Sequence, residues 1–164
     1  LALRGSRSLS VFLRMVINMR ILSDENPALE EVIVSIIELG NSLNTDGDNA
    51  SALREYEKAW ALLPEPKLEW EMIGSWLAGS FYNSYFGMSD FENAKYWAEL
   101  QIKAENSEID TAPLIDLGIV CFELGDNEAS YRYLDKAYQY GKERAFKERP
   151  KKYLEFYLAE KKRQ

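Results

Sequence analysis

The chain has 164 residues, 46% hydrophobic and 13% aromatic, which suffices for one domain with a sizeable core. Its formal charge is −7, and it carries one cysteine, Cys121, and no histidine. Those counts exclude an intramolecular disulfide and any nucleophile pair or metal site built on histidine. No apolar run reaches the roughly 18 residues that a membrane span needs.

Residues 1–22 differ from the rest. They hold Arg4, Arg7, Arg14 and Arg20, no acid, and an apolar run from Val11 to Ile17. Such a basic, acid-free stretch is similar to an organellar transit peptide; a secretory signal fits less well because Arg14 interrupts the apolar run. The other reading is sequence upstream of a domain starting at Met19, which leaves a compact acidic cytoplasmic domain over 23–164. Asn26 and Pro27 have the chemistry of a helix N-cap and first turn. Ile36, Leu39, Gly40 and Leu43 then recur at one face of a 3.6-residue period. Asp46-Gly47-Asp48-Asn49 is a turn, and Ala52, Tyr56 and Ala59 mark the inner face of a second helix that Pro64 ends.

Leu68, Met72, Ile73, Trp76 and Leu77 predict one long helix from Pro66 to Phe86, although mid-helix glycines at 74 and 79 oppose it at about 1 kcal/mol each. Ser89-Asp90 reads as the next turn, and Ala94 starts the helix after it. Further on, Leu114, Leu117, Gly118 and Cys121 form a helix face, Gly125-Asp126 a turn, and Ser130, Leu134 and Ala137 the face of its partner. Cys121 at an inward position reads as a core thiol. Pro150 opens a last helix, 150–162, with Tyr153, Leu154, Tyr157 and Leu158 on one side. Nothing is strand-rich, so the expected fold is all-α.

One pattern recurs with a fixed phase. From Gly40 the marker residues follow at steps of 7, 5, 4 and 3 (Gly47, Ala52, Tyr56, Ala59), and from Gly118 at the same steps (Gly125, Ser130, Leu134, Ala137). A fixed period of about 34 residues is the signature of a helix–turn–helix unit stacked on copies of itself. These residues resemble the tetratricopeptide repeat family: a small residue in the first helix, Gly-Asp at the turn, Ala in the second helix, Pro after it. The three copies would span 33–66, 75–108 and 111–144. The middle one is weakest, since Tyr82 replaces the glycine and Gln101 the inward alanine; bulk at both places should push its helices apart. The last helix would cap the stack, whose end otherwise exposes its core.

The resemblance implies an α-solenoid of antiparallel helix pairs that binds another protein in a concave groove lined by the first helices. Carried over residue by residue, the groove comprises Val34, Ile37, Asn41 and Asn44, then Trp76, Asn83 and Phe86, then Ala112, Ile115, Ile119, Phe122 and Glu123. Asn41 and Asn83 resemble the asparagines that grip a peptide in chaperone-binding members. The cations those members also use are missing, because Ile37, Gly79, Ser80 and Asp116 occupy the matching places.

Charge suggests the partner's sign. Residues 1–22 carry +4, and residues 142–164 carry 9 Lys or Arg against 4 Glu, or +5, so the body 23–141 is −7 − 4 − 5 = −16. A negative body disfavours nucleic acid and steers cationic proteins toward it. No phosphate-cradling glycine loop occurs, Asp46-Gly47-Asp48 lacks the distal glutamate of a calcium loop, and carboxylate pairs such as Glu69 and Asp116 are expected by chance among 27 acids. The expectation is a non-enzymatic binding module with no cofactor, metal, nucleic acid or membrane contact. By analogy of fold it could be an immunity protein neutralising a cationic bacterial toxin; the alternatives are a scaffold, co-chaperone or regulatory subunit holding a peptide and, remotely, an enzyme using paired carboxylates.

Overall fold

The computed structural model describes residues 20–104 and 110–163. Among them every regular element is helical: α1 (Leu22–Glu25), α2 (Pro27–Thr45), α3 (Asn49–Leu62), α4 (Ile73–Gly87), α5 (Phe91–Ala104), α6 (Ala112–Glu123), α7 (Asn127–Gly141) and α8 (Lys151–Lys161). Short 3₁₀ turns at Lys67–Glu69 and Lys142–Phe146 complete the order. No described helix is long and apolar enough to cross a membrane. The expectations for residues 1–19 lie outside the described residues.

Helices α2 and α3, α4 and α5, and α6 and α7 pack as three successive pairs, each across a short connection, which makes each an antiparallel hairpin. The three turns share one geometry. Gly47, Ser89 and Gly125 lie in the left-handed region at φ 84°, 59° and 80°. The next residue is always an aspartate whose carboxylate caps the following helix: Asp48 accepts from the Ser51 amide at 3.0 Å, Asp90 from Asn93 at 3.3 Å, and Asp126 from Ala129 at 3.0 Å. The Asp48, Asp90 and Asp126 amides each reach back 2.9 Å to a carbonyl of the preceding helix, on Leu43, Tyr85 and Cys121 respectively.

Packing inside the pairs explains why the middle copy is not splayed. A side-chain carbon added to Gly40 would lie 2.4 Å from the Tyr56 ring, and one added to Gly118 would lie 2.6 Å from Leu134. In both pairs a glycine faces a large residue 16 positions on, while Ile37 and Ile115 share a cluster with Ala59 and Ala137, 22 positions on. The middle pair reverses both sizes. Tyr82 shares a cluster with Ala98, again 16 on, and Gly79 would meet Gln101, again 22 on, at 2.8 Å. Tyr82 and Gln101 are therefore accommodated by Ala98 and Gly79, and the helices stay in close contact because the volume across each position is conserved.

The core runs through all three pairs. Tyr56, Leu63, Trp70, Leu77 and Phe81 are buried in the first cluster. Tyr85 and Trp97 pack against both the first and second clusters, and Phe86 against both the second and third. Phe81 stacks on Trp97 with ring centroids 3.9 Å apart. Cys121 is fully buried, and burial pushes its thiol up, so it stays protonated core.

Two further expectations change. The long helix from Pro66 is broken: Lys67–Glu69 forms a 3₁₀ turn, Met72 takes φ 63°, and α4 starts only at Ile73. Trp70 drives the break. Its indole is 2% exposed and donates to the Pro64 carbonyl at 2.7 Å. The Lys67 ammonium closes the end of α3 by donating to the Trp60 and Leu63 carbonyls at 2.7 and 2.6 Å. Gly74 is required because the Lys67 carbonyl oxygen sits 2.9 Å from where its side chain would begin. The second change is at the domain edge. Arg20 bridges to Trp70 in parallel, lays its guanidinium 4.0 Å over that indole, and pairs with Glu25 at 2.6 Å, and Leu22 is buried. The folded unit thus includes Arg20 to Leu22.

Candidate partner-binding face

Helices α2, α4 and α6 carry the residues expected to meet a partner, and the structure sorts them by depth. Ile37 and Ile115 are 0% exposed and Ile119 is 2% exposed, so these three are core. Asn41 and Asn44 are half-buried staples between hairpins. The Asn41 amide oxygen accepts from the Tyr56 hydroxyl at 2.7 Å and from the Ser80 hydroxyl at 3.1 Å. The Asn44 oxygen accepts from Ser84 at 3.2 Å. Ser80 and Ser84, one turn apart on α4, are small enough to let α2 approach and polar enough to hold it there.

On α4 the surface opens. Asn83 is exposed, and Trp76 keeps 38% of its surface in water. Met72, one turn before Trp76, is 77% exposed. Phe86 is half-buried, with Tyr82 and Phe91 at ring distances of 5.5 and 5.2 Å. Val34 on α2 is half-buried and Ala112 on α6 is exposed. Sequence reasoning placed Met72 inside a helix face; its exposure follows from the break at Trp70, which periodicity does not register.

On α6 the expected face is already covered, by the chain itself. Phe122 lies under Tyr153 and Phe156 of α8, with centroids 5.5 and 4.9 Å away. The Glu123 carboxylate accepts from the Lys152 ammonium and the Tyr153 hydroxyl, both at 2.6 Å. Asp116, 6% exposed, pairs with Arg149 at 2.6 Å. A basic and aromatic segment, Arg149 to Phe156, therefore fills the last third of the face with ion pairs and edge-on rings. The uneven charge of body and tail was the available signal for this contact.

The electrostatics follow from burial. Burial pushes the Asp116 carboxyl up to about 6, against the pull of Arg149 and with help from Asp110. At Glu123 burial raises the carboxyl, but hydrogen bonds from Lys152 and Tyr153 outweigh it and leave it below the usual range. Burial, and then the Glu123 acceptor, pushes the Tyr153 phenol up. Asp48 of the sequence-noted aspartate-glycine run is a helix cap, and among the described residues no three acidic or thiol groups gather to hold a metal.

No protein-family model matches the chain, and no curated protein aligns with it. The geometry of the face alone carries the functional reading.

Proposed function

We propose that this chain is a tetratricopeptide-like solenoid whose function is to bind a cationic, aromatic-bearing segment of another protein. The reading rests chiefly on the one occupant in view. The segment from Arg149 to Phe156 meets acids and rings of the first-helix face, so it displays the chemistry that this face accepts. The part left open, around Met72, Trp76, Asn83 and half-buried Phe86, is where a partner would seat. It offers one large aromatic anchor and one exposed amide, the kind of pairing that dominates an interface. The shared phase and turn geometry of the three hairpins support the family likeness. Ile37, Ile115 and Ile119 act on the partner only through the shape they give the face.

An immunity protein against a cationic toxin is the finer form of this reading, and it draws on the −16 body, which would steer such a partner to the face. A neutral peptide-holding scaffold is the second form, favoured by the Asn83 amide. Binding kinetics against a partner captured from source lysate test both. Trp76→Ala should raise the dissociation rate enough to cost about 2 kcal/mol, and added salt should slow association more than it speeds dissociation. Unchanged binding by a folded Trp76→Ala variant would place the partner elsewhere. Salt-independent association would favour the scaffold.

A further inference from the structure

The turn between α7 and α8 forms a concave feature bordered by cations. A hollow of about 290 Å³ opens between the 3₁₀ turn Lys142–Phe146 and the start of α8. Phe146, Pro150 and Leu154 line it with apolar surface, and Arg144, Lys147 and Lys151 bring cations to it. Arg149 also borders it but is committed to Asp116. Among the described residues the other three cations have no carboxylate within ion-pair distance. Glu143 is the single acid in the lining. Three unpaired cations beside one acid and an apolar floor are unusual on a chain of net charge −7. Self-repulsion among them is relieved by an anion, and the floor is covered only if that anion carries an apolar group.

We propose that this hollow is a docking site for an acidic peptide segment that presents an apolar side chain between carboxylates. Arg144, Lys147 and Lys151 hold the carboxylates, and the apolar side chain seats on Phe146, Pro150 and Leu154. Inorganic phosphate satisfies the charges and leaves the floor wet, so it is the weaker ligand. The site lies apart from the α4 face and is independent of the function proposed there. The two sites would let one small domain hold a cationic and an acidic partner together.

The test is fluorescence anisotropy with a labelled peptide of sequence Asp-Glu-Leu-Glu-Phe-Asp, its Leu/Phe→Ser analogue, and phosphate as competitor. The full peptide should bind, with affinity falling at least tenfold for the Ser analogue and for an Arg144→Ser/Lys147→Ser variant. Leu154→Ser should weaken the full peptide and leave the Ser analogue unaffected. A Lys136→Ser/Lys162→Ser variant, which removes the same charge away from the hollow, should bind as wild type. Arg144 and Lys147 are exposed and unpaired, so their variants should melt with the parent. Equal binding of the Ser analogue, or equal loss in the Lys136/Lys162 variant, would reduce the site to diffuse charge and overturn the proposal. No binding of the full peptide would overturn it as well.

Discussion

Gly40 and Tyr56 share one volume, and so do Gly118 and Leu134, so size at these positions is set in pairs. Gly40→Leu forces new atoms into the Tyr56 ring and should cost about 1–3 kcal/mol or more in urea denaturation. Gly118→Ala and Leu134→Ala should each destabilise, the first by overpacking and the second by a cavity. The double variant should lose less than their sum, by about 0.5–3 kcal/mol in a double-mutant cycle, since each partly makes room for the other. Strict additivity would mean that the two do not meet. Ser89 is the one non-glycine at the left-handed position of the three turns, with φ 59°. Ser89→Gly should therefore stabilise by up to about 1 kcal/mol, the strain of that conformation less the added freedom of the unfolded chain. An unchanged or lower denaturation midpoint would show that the Ser89 side chain offsets the strain.

The segment leading into and opening α8 meets α6 through two ion pairs, Arg149 with Asp116 and Lys152 with Glu123. Burial pushes the Asp116 carboxyl from its ordinary value of 3.8 up to about 6 in the folded state. Between those values the folded chain holds the extra proton, so this group's contribution to stability is largest below the lower value and declines as pH rises through the upper one. Glu123 acts with the opposite sign: its folded pKa is depressed, and its contribution is present above its unfolded pKa and lost as pH falls. Asp116→Asn should flatten the decline between about pH 4 and 6, read as urea midpoints across that range. An identical slope in the variant would mean that Asp116 does not titrate there. The break before α4 is likewise a matter of contact. Leu68, Met72, Ile73 and Trp76 have helical spacing, but burying the Trp70 indole against Pro64 and folding Lys67 back over Gly74 outweigh it.

At the scale of the molecule, three linked clusters run from Tyr56 to Tyr157, so stability should be graded between neighbouring hairpins. Tyr157 is fully buried and its hydroxyl donates to Asp135 at 2.8 Å. Tyr157→Ala should cost about 3 kcal/mol or more. Hydrogen exchange should quicken first in α6 to α8 and last in α2 and α3. Uniform acceleration would show one cooperative unit with no graded coupling.

Local chemistry decided the parts of this protein that a sequence can state. Asn26 and Pro27 start α2, an aspartate caps each second helix, and glycine or serine turns each pair, because these effects act within a few residues. Apolar periodicity likewise set the helices outside the segment at 66–72, and the arithmetic of charge separated an acidic body from a basic tail. Contacts between distant residues decided the rest. The family resemblance implies that Ile37, Asn41, Ile119 and Phe122 face one side of a first helix, and no local signal says whether that side meets solvent. The tertiary structure does: Asn41 is used by Tyr56 and Ser80, the isoleucines are buried, and Phe122 is covered by α8. The size reversal at Tyr82 and Gln101 is of the same kind. Each residue breaks the repeat when read alone and satisfies it once Ala98 and Gly79 lie opposite, since close packing constrains the volume of a pair and leaves its division free.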